Sequence, residues 1–163
     1  MQDFVLWMQS TWLARFMAEW QWAWPWAEVL HFIGMSMLIG SLLVMDLRLL
    51  GFSRQYISIR ILHVLAPWAA AGFVINLLTG IAFVFKEGDR LLPNPAFSFK
   101  MGCVLVAGLN LLLFMLLYGR QAATSWREDE NPPLGAKLTG TVSLIMWTLV
   151  IWGGRMIPVF GVG

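Results

Sequence analysis

Charge is scarce in this chain. Lys, Arg, Asp and Glu make up 12% of its 163 residues, where a soluble domain carries about 25%. Hydrophobic residues reach 59%, too much apolar surface for one water-soluble core, so the solvent that fits is a lipid bilayer. The net charge of +2 gives no strong basic field and argues against a nucleic-acid partner. Cysteine is nearly absent. The single Cys103 excludes an intrachain disulfide and leaves the redox compartment unread. The GxxxxGK phosphate loop, HExxH, CxxC and G-x-S-x-G are all missing, which argues against an NTPase or hydrolase. A cleavable signal peptide is not expected either. The first 24 residues contain Asp3, Arg15 and Glu19 and lack both a basic start and an unbroken apolar run. No internal repeat is visible. Few intramembrane charges and no inverted halves leave little support for a channel or transporter.

What the chain has instead is long apolar runs. A spanning helix needs about 20 apolar residues. Four segments qualify, at about 28–50, 61–85, 99–118 and 137–158. They are too long, and alternate too little, for barrel strands. Residues 1–25 differ. Trp7, Trp12, Trp20, Trp22, Trp24 and Trp26 crowd this stretch, and Trp favours the headgroup boundary. The expected fold is an all-α membrane protein, a single-domain four-transmembrane-helix bundle. An N-terminal interfacial amphipathic helix is expected to turn at Pro25 into the first span. The acidic run Glu128, Asp129 and Glu130 reads as a solvated loop. Six Lys and Arg residues flank one side of the spans and five the other, a small bias that predicts termini outside the cytoplasm.

The two histidines, His31 and His63, are the residues most suited to hold a cofactor. One haem between them is excluded by geometry. Each lies near the start of its span, adjacent spans run antiparallel, and the starts fall in opposite leaflets about 22 Å apart. The outer layer combines Glu28, His31 and Met35 from the first span with Lys100, Met101 and Cys103 from the third, and Arg155 and Met156 from the fourth. Imidazole, thioether and thiolate suit haem iron or Cu(I), and Lys100 and Arg155 can pair with haem propionates. The inner layer holds His63 with Met45, Asp46, Arg48 and Met115, and His63 with Met115 is a reasonable haem pair. The plainer readings are packing for the methionines, a buried apolar thiol for Cys103, snorkelling anchors for Lys100 and Arg155, and an interfacial His63. Asp46 and Arg48 are expected to pair locally. Gly34, Ser36, Gly40 and Ser41, then Ala66, Ala70 and Gly72, are expected to let helices approach closely. Asn76, Thr79 and Asn110 are expected to hydrogen-bond between helices, and Pro67 to kink the second span or free a carbonyl.

The run WPWAEVLHFIGMSMLIGSLLVMDLRLLG carries a pattern: Trp24-Pro25, Glu28, Leu30-His31, Gly34, Gly40, then Asp46-Leu47-Arg48-Leu49-Leu50-Gly51. Pro67, Gly72, Thr79, Gly80, Asn94, Pro95, Phe97, Lys100, Leu109, Asn110, Gly154 and Arg155 extend it over nearly the whole chain. The pattern resembles a family of small bacterial four-span inner-membrane proteins, a domain of unknown function. It is more distantly similar to cytochrome b-type and copper-resistance membrane bundles. The resemblance implies a four-span bundle and no established activity. Relatives carry Phe-His near the end of the third span, where this chain has Phe114-Met115.

Two functions follow as expectations. In the first, the protein is a membrane redox subunit binding haem b through His31, with Met35, Met101, Met156 or a partner-chain residue opposite. It would pass electrons between a periplasmic partner and quinone or another subunit. A Cu(I) site of His31, Met35, Met101 and Cys103 is the metal variant. In the second, it is a cofactor-free accessory subunit of a larger membrane complex, assembled as a homo-oligomer or with partner subunits. Either role fits better than a stand-alone enzyme.

Overall fold

The computed structural model describes residues 2–52, 54–124, 126 and 131–161, without the side chains of residues 123 and 124. The chain is helical: α1 (Gln2–Ser10), α2 (Trp12–Glu19), α3 (Ala23–Leu49), α4 (Ile61–Leu91), α5 (Pro95–Phe114), a π-helical turn at Met115–Gly119, α6 (Arg120–Thr124) and α7 (Leu134–Phe160). Four helices are long and apolar enough to cross a membrane: α3, α4, the continuous stretch Pro95–Ala122, and α7. The chain is thus built as a multi-pass membrane protein. Arg127 and the acidic run Glu128, Asp129 and Glu130 lie outside the described residues.

Local chemistry sets the helix ends. Asn94 caps α5 by accepting the Ala96 and Phe97 N–H groups at 2.9 and 3.3 Å. Pro95 follows at the first helical position, where a missing N–H costs nothing. The Asn94 amide also donates to the Ile157 carbonyl at 2.9 Å, tying the start of α5 to the end of α7. At the other end of the bundle, α3 stops in a Schellman turn. The Phe52 N–H reaches the Leu47 carbonyl, the Gly51 N–H reaches that of Arg48, and Gly51 has φ +90°. That left-handed conformation is open to Gly at little cost, which explains the Gly that closes the DLRLLG segment.

The N-terminal region departs from the expected single helix. It forms two helices, broken at Thr11, whose hydroxyl caps α2 by accepting the Ala14 N–H at 3.4 Å. The turn into α3 falls at residues 20–22, before Pro25. Pro25 lies in the first turn of α3, where backbone N–H groups have no helical partner to lose. Pro67 does not break α4 either. The one non-helical residue inside α4 is Glu87, with φ −117° and ψ 32°.

The principal contacts run α4–α3–α7–α5, with α1 and α2 laid against α4. The packed faces are built mainly of small residues: Ala69, Gly72, Thr79 and Ala82 on α4, and Ala136, Thr139, Gly140 and Ser143 on α7. Large apolar side chains such as Leu105, Leu116 and Trp152 point outward. This is the membrane arrangement, in which close backbone approach rather than water exclusion drives helix association. The tightest approach is between α3 and α4. A Cβ on Gly72 would lie 2.6 Å from the Gly34 carbonyl oxygen, and one on Gly34 would lie 2.8 Å from the Ile75 side chain. Gly34 and Ser41 are therefore interface residues. Ser36 and Gly40 are not. Both are exposed, Ser36 bonds its own Phe32 carbonyl at 2.9 Å, and a Cβ on Gly40 would meet nothing within 4 Å.

Candidate functional site

His31 is placed by the Gly34–Gly72 contact. Three residues before Gly34, it faces the second half of α4, and its ring is half-buried. Its Nδ1 lies 2.7 Å from the Thr79 hydroxyl. Thr79 itself lies 2.7 Å from the Ile75 carbonyl and 3.3 Å from that of Asn76. A hydroxyl has one proton to give. The Thr79 proton goes to these carbonyls, so Thr79 must accept from His31, and His31 must carry its proton on Nδ1. In the neutral ring, Nε2 then keeps its lone pair. This is the way a second-shell acceptor sets the tautomer of a ligating histidine. Thr79 was expected to bond between helices, and His31 is the group it meets. Glu28, expected to share a face with His31, is exposed.

Aromatic groups surround the ring. Phe83 lies 5.4 Å from His31 and 4.8 Å from Trp24, centroid to centroid. The Lys86 ammonium stands 4.5 Å over the Trp24 ring, a cation–π contact. Met17 of α2 packs into the same cluster with Ala23, Ala27 and Ala82, so the N-terminal helices roof the His31 end of the bundle. Trp24 gave a sequence signal as part of the Trp-rich stretch, but its contact with Phe83 did not. Lys100 of α5 lies across Gly153 and Gly154 of α7.

The rest of the expected outer layer is dispersed. Met101 is 45% exposed while Cys103 is 7% exposed. Two residues apart on a helix, they face different directions. Cys103 belongs to the buried stripe of α5 with Ala96 and Ala107. Met35 and Met156 are partly buried, and Arg155 is exposed. Among the described residues, no group of three or more His, Cys, Asp or Glu could hold a metal ion.

His63 lies at the other end. It is in the first turn of α4, sixteen residues before Thr79, or about 24 Å along the helix. It is exposed, and its Nε2 approaches the Ala122 carbonyl of α6 at 3.4 Å. A carbonyl can only accept, so this nitrogen is the donor. Met115, 59% exposed, opens the π-helical turn that carries the third span toward α6. Asp46 and Arg48 do not pair with each other. Arg90 pairs with Glu87 at 3.4 Å. Arg48 is fully buried and its Nε donates to the Ile57 carbonyl at 2.7 Å, fastening the loop after α3. Asp46 is buried against α7 instead, its backbone lying beside Gly140. Residues two apart on a helix diverge in direction, which is why the sequence neighbours separate. Between helices, Asn110 bonds the Thr139 carbonyl at 2.9 Å as expected, while Asn76 bonds Gly72 of its own helix.

Comparison with family models, curated proteins and solved structures found no match to this chain.

Proposed function

We propose that the protein is a membrane electron-transfer subunit that binds haem b through Nε2 of His31. The observation that carries this reading is the Ile75–Thr79–His31 hydrogen-bond chain, which leaves one oriented imidazole lone pair inside an apolar bundle. Polar groups at such depth are costly and tend to be retained for function. Phe83 and Trp24 supply an apolar wall, and Lys100 is the cation available for a propionate. The haem would supply one-electron chemistry. The chain's residues would fix its axial nitrogen, balance its charge and keep water away. His63 is the lesser candidate, because its Nε2 is directed at a carbonyl. A second ligand to the haem would come from Met156 or from a partner chain, since Met101 faces outward and Met35 is on the same helix as His31. A periplasmic redox protein and a quinone are the partners this role calls for. The Trp-rich helices would lie in the outer interface of a bacterial inner membrane with both termini periplasmic, in keeping with the family that the Trp24–Gly51 pattern resembles.

A dithionite-reduced minus oxidised spectrum of the detergent-purified protein tests this, with iron and copper measured on the same sample. A sharp α-band with stoichiometric iron is expected, lost in His31→Ala and kept in His63→Ala. Full occupancy in His31→Ala would sink the proposal. A flat spectrum with bound copper would move it to a Cu(I) site at His31.

A second reading, a cofactor-free accessory subunit, has its own supporting observation. Gly40, Gly80, Gly102 and Gly108 have nothing within 4 Å of where a Cβ would stand, leaving slots on three helices for a partner. It predicts a colourless, metal-free, stably oligomeric preparation.

A further inference from the structure

The groove between α3 and α7 holds a second buried polar group, Asp46, within the last turn of α3. One wall runs from Ile39 to Asp46 on α3, the other from Leu144 to Ile151 on α7. Each wall is a single helix face, its residues spaced i, i+3, i+4 and i+7. The groove opens to the outside of the bundle, where Leu43 and Ile151 are both about half exposed. It encloses about 60 Å³. Asp46 lies at the end nearest the C-terminus of α3. It is 5% exposed, and its Oδ2 has no hydrogen-bond partner among the described residues.

A buried carboxylate oxygen without a donor is costly in an apolar medium. Waters fit the volume, and equal binding of a lysine-bearing and a lysine-free helix would assign the groove to them. A lipid tail would leave the oxygen unsatisfied. A hard cation needs about six oxygen ligands, and the lining offers Asp46 and Thr148 alone. A haem or quinone is too large. By the same measure of volume one water takes about 10–15 Å³, so the groove takes four to six water-sized groups, about the size of one lysine side chain. We propose that the α3–α7 groove seats a transmembrane helix of a partner protein, which inserts one lysine toward Asp46. Groove shape sets the helix axis, and the carboxylate sets its register. This holds whether or not His31 binds haem.

The test uses the full-length protein in phosphatidylcholine vesicles with a labelled single-span Leu/Ala helix of about 22 residues. One peptide carries a Lys at the depth of Asp46, and its control carries Leu there. Energy transfer reports association. The Lys peptide should bind about tenfold more tightly than the Leu peptide. The advantage should vanish in Asp46→Asn, which keeps the shape of the side chain. It should also vanish in Thr148→Trp, which fills the groove and leaves the carboxylate in place. Equal binding of both peptides, or a lysine advantage that survives Asp46→Asn, would overturn the proposal. So would efficient disulfide crosslinking of Leu43→Cys between wild-type-like copies, because a second copy would then close this face. His31→Ala should leave every one of these readings unchanged, so failure of the haem assignment and failure of this one are separable.

Discussion

Arg48 and His31, toward the two ends of α3, put their side chains to opposite uses, and Asp46, whose Oδ2 is unpartnered among the described residues, groups with His31. At the Arg48 end the chain closes on itself. A fully buried guanidinium holds the Ile57 carbonyl, a left-handed Gly51 completes the Schellman turn, and the following loop is fastened to the helix. At the His31 end the hydrogen bonds run one way, from His31 to Thr79 to Ile75, and end with a ring nitrogen left open. Both ends lie within one recognisable sequence pattern. The difference teaches that a polar motif in a membrane helix becomes a site through the atom it leaves available, while a motif whose atoms are consumed locally is a fastening.

The comparison can be broken from the middle. Gly72→Val would place a Cβ inside contact distance of Gly34, forcing α3 from α4 and separating His31 from Thr79. This is the largest expected effect, about 3 kcal/mol of stability, read by SDS titration in mixed micelles together with loss of any cofactor spectrum. Next is Arg48→Leu, which removes the charged donor to Ile57. It should cost about 2 kcal/mol by the same titration while leaving cofactor binding per folded molecule intact. Equal damage to both readouts would mean that the ends are not separable. Thr79→Val keeps the side-chain shape and removes the acceptor that sets the His31 tautomer. It should weaken metal or haem binding by about 10- to 100-fold, measured by titration of the apoprotein, with little change in the unfolding midpoint. Gly51→Ala is the smallest of the series, at about 1 kcal/mol for a non-glycine residue in the left-handed region, and should leave the spectrum untouched.

The spans were legible in the sequence because their defining property is length of apolar run, which needs no knowledge of contacts. Their ends were less so. The helix of the second span runs past Phe85 to Leu91, resuming beyond the non-helical Glu87. Azimuth was the main loss. In a soluble helix the buried face is marked by hydrophobicity, but here lipid-facing and core-facing sides are both apolar. Ser36 and Gly40 therefore looked as suitable for packing as Gly34 and Ser41. The same ambiguity gathered Met35, Met101 and Cys103 into one layer around His31, because level along the axis is readable and direction around it is not. The Thr79 partner needed three-dimensional structure, since nothing in the spacing of two separate spans pairs one residue with another 48 positions away.

The pairing order α4–α3–α7–α5 has a consequence for how the protein is made. Spans emerge from the ribosome in sequence, and α3 meets its principal partner, α4, as soon as residue 91 has been delivered. The Gly34–Gly72 contact, and with it the alignment of His31 and Thr79, can form in a half-synthesised chain. The third span has no such neighbour waiting: α5 packs on α7, which follows it in the chain, and must stand in the lipid or at the translocon until residue 160 has been delivered.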